Sequence, residues 1–167
     1  MKILACDLSL TGSAFALLEI QEGHLVSVET FFVDNSKNIF IGMGSRLGRI
    51  ATKVEEIIEN NKDIDYIVIE QGFSRFNNVT QTLFRVVGVV EMTLSKFGFH
   101  DVEFIAPTSV KKTVTGNGKA TKKEVEEGVR IYLPEKQKKM VFQTDDCSDA
   151  VAVGISLGIQ KNFIKKF

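Results

Sequence analysis

Cysteine is scarce in this chain of 167 residues. The two present, Cys6 and Cys147, are too few for a disulfide framework and are not spaced as zinc ligands. They read as small buried thiols in a reducing compartment. Proline is scarcer still for a chain of this length, with only Pro107 and Pro134, and no repeat, low-complexity tract or linker interrupts the pattern. The whole span 1–167 therefore reads as one domain with an ordinary apolar fraction and enough length to build a core. No uncharged apolar run reaches the roughly 18 residues needed to cross a membrane. The first residues, Met1-Lys2-Ile3-Leu4-Ala5-Cys6-Asp7, meet an acid too early for a secretory signal. A cytoplasmic location and no membrane partner are expected. His24 and His100 are isolated and lack triad or zinc spacing.

Against these absences stand four carboxylates at the ends of apolar segments. Asp7 ends Lys2-Ile3-Leu4-Ala5-Cys6-Asp7, and Glu70 ends Tyr66-Ile67-Val68-Ile69-Glu70. Asp146 and Asp149 open Asp146-Cys147-Ser148-Asp149-Ala150-Val151-Ala152-Val153. Desolvating an ionised carboxylate is costly, so acids avoid such boundaries unless something offsets the cost. A hard divalent cation does so. Mg²⁺ takes oxygen ligands and retains several waters, which suits a few carboxylates drawn from different elements. Two such ions can hold the attacking and leaving oxygens of a phosphodiester in line. The four acids are therefore candidate catalytic and metal-binding residues of a nuclease.

Residues 2–8, 13–20 and 24–33 read as three strands, separated by turn signals at Thr11-Gly12 and Glu22-Gly23. Short connections make them an antiparallel meander. Ile50, Val54, Ile57 and Ile58 then recur at helical spacing, predicting a helix over roughly 42–61. A strand over 65–70, a helix over about 78–97 and a strand over 102–106 follow, an alternation that implies parallel crossovers. Thr121 with Glu124 forms a capping-box pattern opening a helix over 121–132. The last helix spans about 145–160. This order is that of the ribonuclease H-like fold: an α/β architecture with a five-stranded mixed sheet, three antiparallel strands then two parallel, and helices on both faces. It places Asp7 beside Glu70. Asp146 and Asp149, three apart, share a helix face with Val153, so a helix that packs Val153 on the sheet turns both acids toward that pair.

Short motifs narrow the function further. Ile69-Glu70-Gln71-Gly72-Phe73 resembles the second acidic motif of the RuvC family of Holliday junction resolvases. Asp146-Cys147-Ser148-Asp149-Ala150-Val151-Ala152 resembles that family's terminal D-x-x-D-A motif. Between them, Ala106 to Ala120, with Lys111, Lys112 and Gly116-Asn117-Gly118, is similar to its lysine-bearing segment and glycine loop. The first motif departs: bacterial members read Asp-Pro-Gly with a longer turn, where this chain has Asp7-Leu8-Ser9-Leu10-Thr11-Gly12. The chain's shortness suggests a phage-encoded member, which would act in the host cytoplasm. The resemblance implies that Asp7, Glu70, Asp146 and Asp149 ligate two Mg²⁺ ions per site, with Mn²⁺ as a substitute. It implies that Phe73 stacks on an unpaired base and that Lys111 and Lys122, with Lys112 and Lys119 adjacent, face DNA. It also implies a homodimer that makes paired nicks in four-way and other branched DNA, with the helix from Val79 to Leu94 as candidate interface. No helicase partner is identifiable.

The formal net charge is zero, yet charge is unevenly distributed. Between Lys111 and Lys139 nine basic residues face four acidic ones, and Lys161, Lys165 and Lys166 follow. An acidic pit beside a basic flank suits a phosphate backbone. Two rival readings remain open: a nuclease of the same fold acting on RNA or RNA–DNA hybrid, and a protein that binds branched DNA without cutting it. An actin-like ATPase is disfavoured because its second lobe has no room in this length.

Overall fold

The computed structural model describes residues 1–36, 42–72 and 77–167. Its five strands are β1 (Lys2–Asp7), β2 (Gly12–Gln21), β3 (His24–Asp34), β4 (Tyr66–Glu70) and β5 (Glu103–Ile105). They form one sheet in the order β3-β2-β1-β4-β5. The meander β1-β2-β3 is antiparallel, while β4 runs parallel to β1 and β5 parallel to β4. The expected ribonuclease H-like arrangement is the one observed.

Side-chain alternation divides the core into two layers. Leu4, Cys6, Ile67 and Ile69 face one way and pack with Ile50, Val54 and Ile57 of α1 (Met43–Asn60) and Val86, Val90 and Leu94 of α2 (Asn77–Lys96). Ile3, Ala5 and Val68 face the other way, toward α3 (Pro107–Thr115), α4 (Lys122–Tyr132) and α5 (Asp145–Gln160). The same alternation continues to the strand ends: Asp7 and Glu70 fall on the α5 side. α5 is buried along most of its length. It lies so close to the sheet that a Cβ on Gly154 would meet Leu18 at 2.6 Å. Cys6 and Cys147 are buried free thiols in different layers, as their composition implied.

Helix boundaries follow local chemistry. Thr121 and Glu124 form the anticipated reciprocal capping box at the start of α4. The outer strand β3 is protected at Val28, whose N–H donates to Gln137 Oε1 (2.9 Å) and whose carbonyl accepts from Gln137 Nε2 (2.7 Å). One side-chain amide thus occupies an edge position that another strand could use.

One element differs from the sequence pattern. Residues 107–115 form α3, where the pattern alone gives a strand ending at Pro107 and then a lysine-bearing segment. Pro107 is the first residue of that helix, where its missing N–H and fixed φ cost nothing. Thr108, Val110, Thr113, Val114 and Thr115 lower intrinsic helix propensity, and burial of Val110 and Val114 against the core overrides it. Gly116, at φ 80°, ends the helix in the left-handed conformation.

Candidate active site

β1 and β4 are in register with Cys6 opposite Ile69, so the next residues, Asp7 and Glu70, leave the sheet side by side. From the opposite direction α5 begins at Asp145 with no side-chain cap from Thr144. Its uncapped first turn favours acids through the helix dipole. Asp7, Asp146 and Asp149 each offer a carboxylate oxygen, and these oxygens all lie within 4.8 Å of one another. Two elements far apart in sequence therefore build one acidic cluster, as the spacing of Asp146 and Asp149 required. Glu70 stands outside that tight group but within its electrostatic reach: its charge acts on Asp7, and Asp149 acts on it.

The electrostatics show a site whose negative charge is only partly compensated. Burial, followed by the charges of Glu70, Asp149 and Asp146, pushes the Asp7 carboxyl up to about 8. Burial and the charge of Asp149 push Glu70 up to about 7, with Lys111 and Lys122 opposing. Asp149 is raised chiefly by burial, against the pull of Lys122. Clustered oxygen donors whose mutual repulsion disfavours ionisation are a fit for a hard divalent cation, which supplies the missing positive charge.

Lys122, which the family resemblance gives as facing DNA or polarising the scissile phosphate, contacts the acidic cluster itself. Its Nζ donates to Asp146 Oδ1 at 2.8 Å and lies 3.4 Å from Asp149 Oδ2. Lys111, on α3, acts electrostatically on Glu70 and Asp149. Lys112 and Lys119 are exposed. Among the described residues none of Lys111, Lys112 and Lys119 forms an ion pair. Phe73 lies outside the described residues.

The turn after Asp7 is held by residues that motif comparison passed over. Ser13 Oγ donates to the Ser9 carbonyl (2.6 Å), and the Gly12 N–H donates to Ser9 Oγ (3.0 Å). Asn35, fully buried, donates from Nδ2 to the Leu10 and Arg46 carbonyls, and its backbone N–H donates to the Thr11 carbonyl. Gly12 leaves room for the site: a Cβ there would meet Phe32 at 2.9 Å and approach Asp146 Oδ2 to 3.7 Å. The only prior signal for these roles was the run of small polar residues after Asp7; the pairing of position 35 with position 10 is set by tertiary structure. Beside the turn an apolar cleft of about 460 Å³ opens, lined by Leu8, Leu10, Thr11, Gly72, Val79 and Leu83.

Comparison with known proteins agrees with this geometry. The family model for crossover junction endodeoxyribonuclease RuvC matches residues 3–157. A relative described as crossover junction endodeoxyribonuclease RuvC from Prochlorococcus marinus subsp. pastoris is 30% identical over 156 residues, covering 93% of this chain and 95% of that protein. The protein of the same description from Heliobacterium modesticaldum is 29% identical over 155 residues, covering 93% and 92%. Among solved structures, Thermus thermophilus RuvC in complex with a Holliday junction substrate superposes with a TM-score of 0.81 at 22% identity, covering 97% of this chain and 95% of that one. Structural likeness at that identity speaks for the fold, while the family match spans nearly all of β1 to α5 and includes each of the four acids. The chain belongs to the RuvC family of crossover junction endodeoxyribonucleases.

Proposed function

We propose that the protein is a structure-selective endodeoxyribonuclease that resolves four-way DNA junctions, and that other branched DNA falls within its range. The observation that carries this reading is the convergence of Asp7, Asp146 and Asp149 from two elements onto one point, with Glu70 adjoining. These residues would hold a pair of Mg²⁺ ions, with Mn²⁺ as a substitute. Bound there, the metal supplies an activated water and charge stabilisation at the leaving 3′ oxygen, giving 5′-phosphate and 3′-hydroxyl ends.

The chain's own groups perform the rest. Asp7 and Glu70 are fixed to adjacent strands, so their separation is set by the sheet and needs no rearrangement on binding. Asp146 and Asp149 ride on a buried helix and are equally preorganised. Lys111, Lys112 and Lys119, without ion-pair partners among the described residues, and Lys122 once released from its acids, offer a path for the phosphate backbone. The apolar cleft lined by Leu8, Leu10, Val79 and Leu83 gives an unstacked base somewhere to lie, and the family resemblance assigns stacking on that base to Phe73.

Resolution requires two nicks placed symmetrically, hence two sites in a two-fold dimer. The outward face of α2 supports such a dimer. Phe84 and Met92 are 59% and 56% exposed, and Gly88, midway between them, has open space over its Cα. A mid-helix glycine costs roughly 1 kcal/mol relative to alanine, and nothing within the chain's own packing calls for it there. Close approach of a second α2 would.

The test is cleavage of a synthetic immobile junction, a linear duplex and an RNA–DNA hybrid, each with and without Mg²⁺. Paired nicks in the junction alone, lost in Asp146→Asn, are the expected result. Equal or preferred cleavage of the hybrid would transfer the site to a different substrate, and tight junction binding without metal-dependent cleavage would make the protein a binding module.

A further inference from the structure

The acidic cluster already contains a cation. Lys122 is the first residue of α4, within the Thr121–Glu124 capping box that fixes its backbone. Its long side chain crosses to α5, where the ammonium bridges Asp146 and Asp149. Those are two of the three acids whose oxygens converge. The contact is unlike an ordinary surface ion pair. One ammonium serves two carboxylates that repel each other, and the Asp149 side chain is only 18% exposed. Lys122 is itself held above the ordinary lysine range. Burial alone would lower it, and the hydrogen bond to Asp146 with the charges of Asp149 and Asp146 outweighs that effect.

We infer that Lys122 is an internal counter-cation which fills part of the metal seat while DNA is absent, and that phosphate of the DNA backbone draws it off, so that metal and DNA bind cooperatively through this one side chain. The inference rests on the metal-nuclease reading of the four acids. Its physical basis is competition for the same oxygens: with the ammonium against Asp146 and Asp149, an incoming divalent ion meets both occupied ligands and a repelling charge. A phosphodiester offers the ammonium an alternative anionic partner, while the divalent ion takes over both carboxylates. Lysine suits such an exchange because its ammonium is a point charge on a flexible stem, with no fixed bidentate geometry to lose. The capping box holds the backbone still, so only the side chain has to move. Reciprocity comes from linkage: if DNA tightens metal binding through Lys122, metal tightens DNA binding by the same factor. A nuclease built in this way avoids full metal loading until a backbone lies across its site.

Lys111 provides the control, because it acts on Glu70 and Asp149 only through space. If the general positive field were the whole effect, removing either lysine would raise metal affinity similarly, and salt would screen both changes. If Lys122 occupies the seat, its removal has the larger effect and the difference persists in salt.

The experiment measures Mn²⁺ binding by the loss of free-ion electron paramagnetic resonance signal, without DNA and with a junction carrying non-hydrolysable linkages at the cleavage positions. The proteins are wild type, Lys122→Met, Lys122→Arg and Lys111→Met, with folding checked by circular dichroism. Without DNA, Lys122→Met is expected to bind Mn²⁺ on the order of tenfold more tightly than wild type. It should also lose most of the tightening that the junction confers on wild type. Lys122→Arg keeps a cation at the acids and should retain wild-type affinity, which separates occupancy from any local loosening caused by methionine. Lys111→Met should change affinity by less, and that change should vanish at high salt. Equal affinity in wild type and Lys122→Met would overturn the inference and leave the metal site intact, as would equal effects of the two lysine removals. Failure of every protein to bind Mn²⁺ would instead remove the metal site and the inference together.

Discussion

Replacing Asp7 by asparagine is expected to make the metal-free protein more stable while abolishing cleavage. Asp7 is partly buried at the end of β1 and faces Glu70, Asp149 and Asp146, which together with burial raise its pKa from 3.8 to about 8. A carboxyl with a raised folded-state pKa binds its proton more tightly in the native state than in the unfolded one. Native stability from this group is therefore fully present below about pH 4 and is lost as pH rises through about 8. A shift of about four units corresponds to at most roughly 5–6 kcal/mol. Solvent reaching the cluster and the compensating charge of Lys122 reduce this to about 2 kcal/mol at pH 8. In a chain of this size that amounts to a gain of roughly 4–8 °C in Tm for Asp7→Asn. Differential scanning calorimetry in chelator at pH 4.5 and pH 8 tests it: a clear gain is expected at pH 8 and almost none at pH 4.5, where wild-type Asp7 is already neutral. Saturating Mn²⁺ should shrink or reverse the pH 8 difference, because wild type then gains binding energy that the variant has lost. An equal Tm gain at both pH values, or a loss at pH 8, would refute the view that ionising Asp7 carries a cost that metal relieves.

Three further outcomes are expected. Cleavage should proceed with Mg²⁺ or Mn²⁺, stop on exhaustive chelation and be poorly supported by Ca²⁺, whose longer bonds and higher coordination misplace the reacting oxygens; full turnover in chelator would rule out the metal site. Phe84→Glu should shift the protein toward monomer in analytical ultracentrifugation and uncouple the two nicks on a junction in a cruciform plasmid, whereas an unchanged sedimentation coefficient would move the interface away from α2. Lys111→Ala should lower junction affinity and reduce the magnitude of the log–log salt slope by roughly 1, since one fewer phosphate contact releases fewer counterions; an unchanged slope would leave Lys111 as part of a solvated face.

The strands and long helices were legible because each carries its own local signal. The continuous apolar runs of β1 and β2, bounded by turn signals, and the Ile50, Val54, Ile57 spacing of α1 survive without tertiary context. The acidic centre was legible for a related reason. Strand order comes from the sequence of elements, parallel pairing of β1 with β4 aligns their carboxyl ends, and a three-residue interval puts Asp146 and Asp149 on one face. None of those steps requires knowing a side-chain contact. α3 was missed because its signals conflict at the same positions: β-branched residues argue against a helix, while Pro107 at the first turn and the left-handed Gly116 frame one. Burial of Val110 and Val114 settles the contest, and burial is not local information.

The same distinction explains why the acids were found and their nearest cation was not placed. A carboxylate at the end of an apolar strand is an anomaly within its own segment, because nothing nearby offsets its desolvation. A lysine after a capping threonine is ordinary. Lys122 could equally have pointed to solvent, to phosphate or to an acid, and twenty-four residues separate it from Asp146. Only the packing of α4 beside α5 brings the two together. The tie from Asn35 to the turn after Asp7 is of the same kind: position 35 lies at the end of β3 and position 10 at the start of β2's approach, adjacent only because the meander closes. Carboxylates that stand out by chemistry can thus be read from one dimension, whereas the groups that neutralise and brace them are chosen by the fold.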